Sequence, residues 1–161
     1  MALYDKYYKG MFAVAKRYIN QSDVAEDAMQ DSFIKAFQKL DQYHGEVAFG
    51  CWLKRIVVHT CLDALKAKKI ITETVNDELF TVASDPVIEV EDQVSVAQIK
   101  QAIALLSGIK KTILNLFLFE GYDHEEISQI LSISVSASRT YLHRGKKALI
   151  NELKAMTYER Y

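Results

Sequence analysis

A single proline, Pro86, stands in the whole chain. Proline removes a backbone donor and clashes with the preceding turn, so its scarcity leaves almost every other stretch free to be helical. Apolar spacing then decides, and the spacing is helical. Leu3, Tyr7, Met11, Val14, Ala15 and Tyr18 recur with a helix period, which predicts a helix over 3–19. Asn20, Gln21, Ser22 and Asp23 form a polar break. Ser22 or Asp23 can cap the next helix, with Glu26 placed to complete a capping box on Asp23. That helix runs to about Leu40, and Met29, Phe33, Ala36, Phe37 and Leu40 make its expected core stripe. Residues 41–48 read as a loop, and a third helix is predicted from Phe49 to Lys69.

The C-terminal block has sharper signals. A helix over about 109–119 ends before Gly121, a natural C-cap. Asp123 then caps a short helix with Glu126 as its capping-box partner, carrying Ile127, Ile130 and Leu131. Ser132, Ile133 and Ser134 break the pattern, and a longer helix follows from Val135 to about Leu153. A short helix, a tight turn and a basic helix make the pattern of a helix-turn-helix. The expected fold is therefore all-α. Two small helical domains, 1–69 and 94–161, are joined by residues 70–93.

That joining stretch mixes β-branched and acidic residues without a clean period, and reads as a flexible linker. Charge sets it apart. The net charge of the chain is -1, but residues 1–69 carry +3, residues 70–99 carry -7, and residues 100–161 carry +3. Two mildly basic blocks flank an acidic segment, and such a distribution says more about partners than the sum does.

Several function classes find no support. No Gly-rich phosphate loop, H-E-x-x-H or G-x-S-x-G motif occurs, so no catalysis is expected. The four histidines are scattered and the two cysteines, Cys51 and Cys61, are too few for a structural zinc site. No metal or cofactor is expected, and both thiols read as buried or inert. No stretch is long and apolar enough to span a bilayer, and the N-terminus lacks a signal peptide's cleavage pattern, so a cytoplasmic location is expected.

Three helix faces could do work. On the last helix, Val135, Ser138, Leu142, Gly145 and Leu149 share the core stripe, and Ser136, Ala137, Thr140, His143, Arg144 and Lys147 share the opposite arc, with Arg139 beside the stripe. No acid occurs between Ser134 and Ile150, which suits a DNA-reading face, although charged arcs are also simply solvated. On the helix from Phe49, Trp52, Arg55, His59, Leu62 and Lys66 fall in a narrow arc. A ring among cations can stack an unpaired base while the cations hold phosphates, but a lone Trp also serves as core. On the helix before it, Asp27, Gln30, Asp31, Ile34 and Lys35 face outward. An exposed Ile among acids fits a protein-docking patch, and isolated exposed apolar residues are also ordinary.

The motifs carrying these faces are AEDAMQDSFIKAF (25–37), FGCWLKRIVVHTCLDAL (49–65) and LFEGYDHEEISQILSISVSASRTYLHRGKKAL (118–149). In order and spacing they resemble a bacterial RNA polymerase sigma factor of the extracytoplasmic-function group. The resemblance implies a factor that binds core RNA polymerase, directs it to particular promoters and assists DNA melting. It implies that Asp27, Gln30, Asp31, Ile34 and Lys35 bind the clamp helices of the largest polymerase subunit, the flap of the second-largest being a further contact. Tyr43, His44, Trp52, Arg55, His59 and Lys66 would then read and hold the melted minus-ten strand. Ser136, Ala137, Arg139, Thr140, His143, Arg144 and Lys147 would read the minus-thirty-five element. The acidic linker would thread toward the polymerase active site and RNA exit. The resemblance also implies an inhibitory anti-sigma protein, often membrane-bound in this group. The sequence departs from the family pattern at His59, where Asn is common, at Ser138, where an apolar residue is usual, and at Tyr141, where a cation is. A helix-turn-helix regulator acting without polymerase would account for the C-terminal block equally well, but gives no reason for the two N-terminal faces.

Overall fold

The computed structural model describes residues 2–68 and 94–158. Among them are seven α-helices: α1 (Ala2–Tyr18), α2 (Ser22–Gln38), α3 (Phe49–Ala67), α4 (Val96–Leu105), α5 (Gly108–Leu114), α6 (His124–Leu131) and α7 (Val135–Tyr158). The acidic stretch read as a linker lies outside the described residues. The chain separates into two compact units, Met1–Ile71 and Thr72–Tyr161. No helix among the described residues is long and apolar enough to cross a membrane.

In the first unit α1, α2 and α3 pack pairwise on one another. Met11, Val14, Ala15 and Tyr18 of α1 meet Ala25, Ala28, Met29, Phe33 and Ala36 of α2, and Leu53, Val57, Val58, Cys61, Leu62 and Leu65 of α3 complete the core. Each large apolar side chain so buried contributes about 1.5–3 kcal/mol over leaving it in water. Ser32 is fully buried among them, and its hydroxyl donates to the Ala28 carbonyl at 2.6 Å, so no polar group is stranded there.

The helix phases correct several expectations. Leu3 is exposed in the first turn of α1. Phe37 and Leu40 are also exposed, because the buried arc of α2 runs through Ala25, Ala28, Met29, Ser32, Phe33 and Ala36. Phe37 lies about 60° from Ile34 around the helix, on the outward side. Leu40 falls beyond the helix in a 3-10 turn, Leu40–Gln42. Conversely Leu62, expected beside Trp52 on the outer arc, is buried, since α3 packs on both partners and its buried arc spans about half its circumference. Ser22 and Asp23 do not cap α2. The cap position is Gln21, without a side-chain bond, and Ser22 lies in the first turn where its hydroxyl accepts from the Lys16 ammonium at 3.1 Å.

The second unit is built around α7, on which α4, α5 and α6 pack. Ser95 and Gln98 form a capping box at α4 that the sequence reading did not identify, with Ser95 N donating to Gln98 Oε1 at 2.8 Å and Gln98 N to Ser95 Oγ at 3.2 Å. The capping box expected at Asp123 and Glu126 is present: Glu126 N donates to Asp123 Oδ1 at 2.8 Å and Asp123 N to Glu126 Oε2 at 2.9 Å. After α5 the backbone widens into a π-helical turn, Asn115–Phe119, and Gly121 exits it at φ +72°, where a Cβ would be strained. Ser132 adopts the left-handed conformation at φ 55°, which turns the chain between α6 and α7. The short helix, turn and long helix of a helix-turn-helix are thus in place.

Candidate nucleic-acid interface

Three separate surfaces carry the residues singled out from sequence. On α2, Asp27, Gln30, Asp31 and Ile34 are exposed, and Ile34 is 55% accessible. Phe37, 47% accessible, extends this face by one turn; its i+3 spacing from Ile34 was the signal that could have found it. Gln30 Nε2 donates to Glu26 Oε1 at 3.5 Å along the helix. Lys35 differs from the others. It is half-buried and its ammonium donates to Thr60 Oγ1 of α3 at 3.4 Å, which turns it toward the α2–α3 seam.

The second surface joins α3 to the loop before it. Trp52, Arg55, His59 and Lys66 fall on one side of α3, with Arg55, His59 and Lys66 exposed and Trp52 half-buried. Trp52 is neither core nor isolated. It stands 5.2 Å from the ring of Tyr43 and 5.5 Å from that of Phe49, and Tyr43 and Phe49 meet edge-on at 5.5 Å. The Tyr43 hydroxyl donates to the Val47 carbonyl at 2.7 Å, closing the loop around Gly45, whose φ is +77°. His44 is exposed at the loop tip. Partial desolvation lowers the His59 pKa from its ordinary value; Asp63 pulls it up, and Lys66 and Arg55 press it down again. A neutral imidazole offers one donor and one acceptor, which suits a base edge better than a phosphate.

The third surface is the start of α7. Ser134 Oγ accepts from Ala137 N at 3.0 Å and so caps the helix. Ser136, Arg139, Arg144 and Lys147 are exposed, and half-buried Thr140 donates its hydroxyl to the Ser136 carbonyl at 3.1 Å. Two assigned residues are withdrawn from this face. Ala137 is completely buried, and both ring nitrogens of His143 are shut off from solvent. Three helices pack on α7, so its covered arc is wider than one stripe; Tyr141 is buried for the same reason. Ser138, also fully buried, lies with its hydroxyl 2.9 Å from His124 Nδ1 on α6. His124 stacks on Phe117 at 5.2 Å, and the Lys146 ammonium lies over the same Phe117 ring at 5.9 Å. A polar side chain in an apolar slot thus finds a partner, and the contact ties α6 to α7.

Arranged this way, the molecule offers an acidic and apolar face fit for a protein, an aromatic platform flanked by cations fit for unpaired bases, and a cationic helix fit for a duplex groove. Comparison with known proteins gives the same combination a family. Residues 3–70 match the model of sigma-70 region 2, and residues 97–149 match that of sigma-70 region 4. The RNA polymerase sigma-H factor of Pseudomonas aeruginosa is 26% identical over 96% of this chain and 86% of that protein. SigW, an extracytoplasmic-function sigma factor of Bacillus subtilis, is 28% identical over 93% of this chain and 86% of that protein. In fold the chain is similar to the sigma factor RpoE solved with the anti-sigma factor NepR from Bartonella quintana, with a TM-score of 0.57, 19% identity and 95% of each chain covered.

Proposed function

Because this chain belongs to the sigma-70 family of bacterial RNA polymerase initiation factors, in its extracytoplasmic-function group, we propose that its two units divide promoter recognition between them, with no chemistry of their own. Residues 1–69 dock on core polymerase and take hold of the melted minus-ten strand. Residues 94–161 read the minus-thirty-five element, and the acidic stretch 70–93 links the two. Asp27, Gln30, Asp31 and Ile34, with Phe37 added, bind the clamp helices of the largest subunit; Lys35 supports this face from the seam. Tyr43, His44, Trp52, Arg55, His59 and Lys66 hold the single strand. Ser136, Arg139, Thr140, Arg144 and Lys147 contact the minus-thirty-five duplex. An inhibitory anti-sigma protein completes the set of partners.

The observation that carries the reading is the Tyr43–Phe49–Trp52 cluster beside Arg55, His59 and Lys66, because clustered aromatic rings among cations suit unpaired bases, which stack on a ring while the cations meet the phosphates. Run-off transcription with core polymerase and a promoter library tests it. Specific start sites that depend on the added chain are expected. Tight binding of operator duplex by the chain alone, with no polymerase-dependent transcript, would instead make it a helix-turn-helix regulator.

A further inference from the structure

We propose that Tyr7 of α1 is a positioning residue for promoter melting, holding the Trp52–Tyr43 platform in place through Phe49. The inference rests on the reading of Trp52 given above. Tyr7 is remote in sequence from the loop and α3, and its place in the sequence pattern is only that of one residue in the helical repeat of α1. In the structure its ring lies 5.4 Å from that of Phe49, and Phe49 in turn lies 5.5 Å from both Trp52 and Tyr43. Four rings from three elements therefore form one connected cluster, with Phe49 at its centre.

Tyr7 is itself pinned. The Lys6 ammonium lies 5.4 Å from its ring centroid. Its Cε1 edge fills the space that the missing side chain of Gly50 leaves, since a Cβ built on Gly50 would sit 3.0 Å from that atom. Gly50 is the second residue of α3 and has no left-handed backbone to require a glycine, so the close approach of the Tyr7 ring accounts for the missing side chain there. The ring is held on the Gly50 side by backbone and on the Phe49 side by another ring. Tilted contacts of this kind have directional preferences, so moving Tyr7 moves Phe49, and Phe49 moves the two rings that would receive a base.

The only tryptophan of the chain is Trp52, so its fluorescence reports the platform without interference from a second indole. Tyr7→Phe keeps the ring and should leave Trp52 emission and open-complex formation as in the wild type. Tyr7→Leu keeps an apolar side chain but removes the ring. It should shift Trp52 emission and slow open-complex formation by ~5-fold or more, the low end of what one base–aromatic stack contributes. Gly50→Ala provides the same test without emptying the core. It removes a glycine's backbone entropy cost from α3, so helicity should hold while Trp52 emission and melting change as in Tyr7→Leu. Holoenzyme assembled with each full-length variant is assayed by permanganate footprinting, alongside Trp52→Ala. Unchanged emission in both Tyr7→Leu and Gly50→Ala overturns the proposal. So does shifted emission with normal melting, if Trp52→Ala melts slowly. Normal melting in Trp52→Ala removes the stacking role of Trp52 itself and the melting role of Tyr7 with it, whatever the emission shows.

Discussion

His59 is exposed on α3, yet its ring is desolvated enough to lower its pKa below 6.5, and this has a consequence for pH. The unfolded chain takes up this proton first as pH falls. Stability attributable to His59 is therefore whole above about pH 6.5 and is lost as pH falls through the lower folded value. An NMR titration of the imidazole should show a midpoint below 6.5, raised by Lys66→Gln and lowered further by Asp63→Asn. A bound phosphate nearby should raise it and draw a proton from solution. The cysteines divide as sharply. Burial pushes the Cys61 thiol up to about 12, and since the thiolate is the nucleophile, Cys61 is inert in the folded protein. Cys51 is exposed at the start of α3, so of the two thiols only Cys61 is buried, because Cys51 falls in the first turn before the helix enters the core. Iodoacetamide should label Cys51 alone in the native chain and both thiols after denaturation, as mass spectrometry of the peptides will show.

Helix by helix, existence was easier to read than phase. All the helices named from periodicity and capping are present, since a chain with one proline and apolar residues at helical spacing leaves few alternatives. Phase failed where small residues pack. Met29, Phe33 and Ala36 of the expected α2 stripe are buried, but the rest of the buried arc is Ala25, Ala28 and Ser32, residues that a search for large side chains passes over, and Phe37 was placed inside for that reason. Ring-to-ring contacts across elements, such as Tyr7 to Phe49, have no sequence signal at all. Gly145 has no side chain to add to the α7 core stripe, yet its backbone is in close contact with a neighbouring helix. A Cβ there would meet Leu114 Cγ at 3.1 Å and the Lys110 carbonyl at 3.4 Å. Leu114 is fully buried and cannot give way, so Gly145→Val should cost about 1–3 kcal/mol by overpacking, measured by urea denaturation. The exposed face of α2 behaves in the opposite sense. Asp27→Lys with Asp31→Lys touches no core contact, so stability should stay within about 0.5 kcal/mol while capture of core polymerase in a pull-down is lost. Retained capture would remove the docking role from α2.

For the whole chain, the net charge of -1 conceals two mildly basic blocks and an acidic one, and neither block has the charge of a strong DNA binder. Each unit has a core made by its own helices, α1 to α3 in one and α4 to α7 in the other. A factor built of two weak readers gains its affinity from their connection, because once one is seated the other searches a small volume. Chains 1–69 and 94–161 prepared separately should therefore each give a helical spectrum and a cooperative melt. Added together to core polymerase, they should need a concentration ~10²–10⁴ times that of the intact chain to reach the same run-off transcription. Charge sets the salt dependence of the same experiment. If Arg139, Arg144 and Lys147 meet phosphates, added salt should weaken the 94–161 piece on a minus-thirty-five duplex with a log–log slope near -3, close to -0.9 for each phosphate contact. Equal activity of the two pieces and the intact chain would mean that the acidic stretch contributes nothing by joining them.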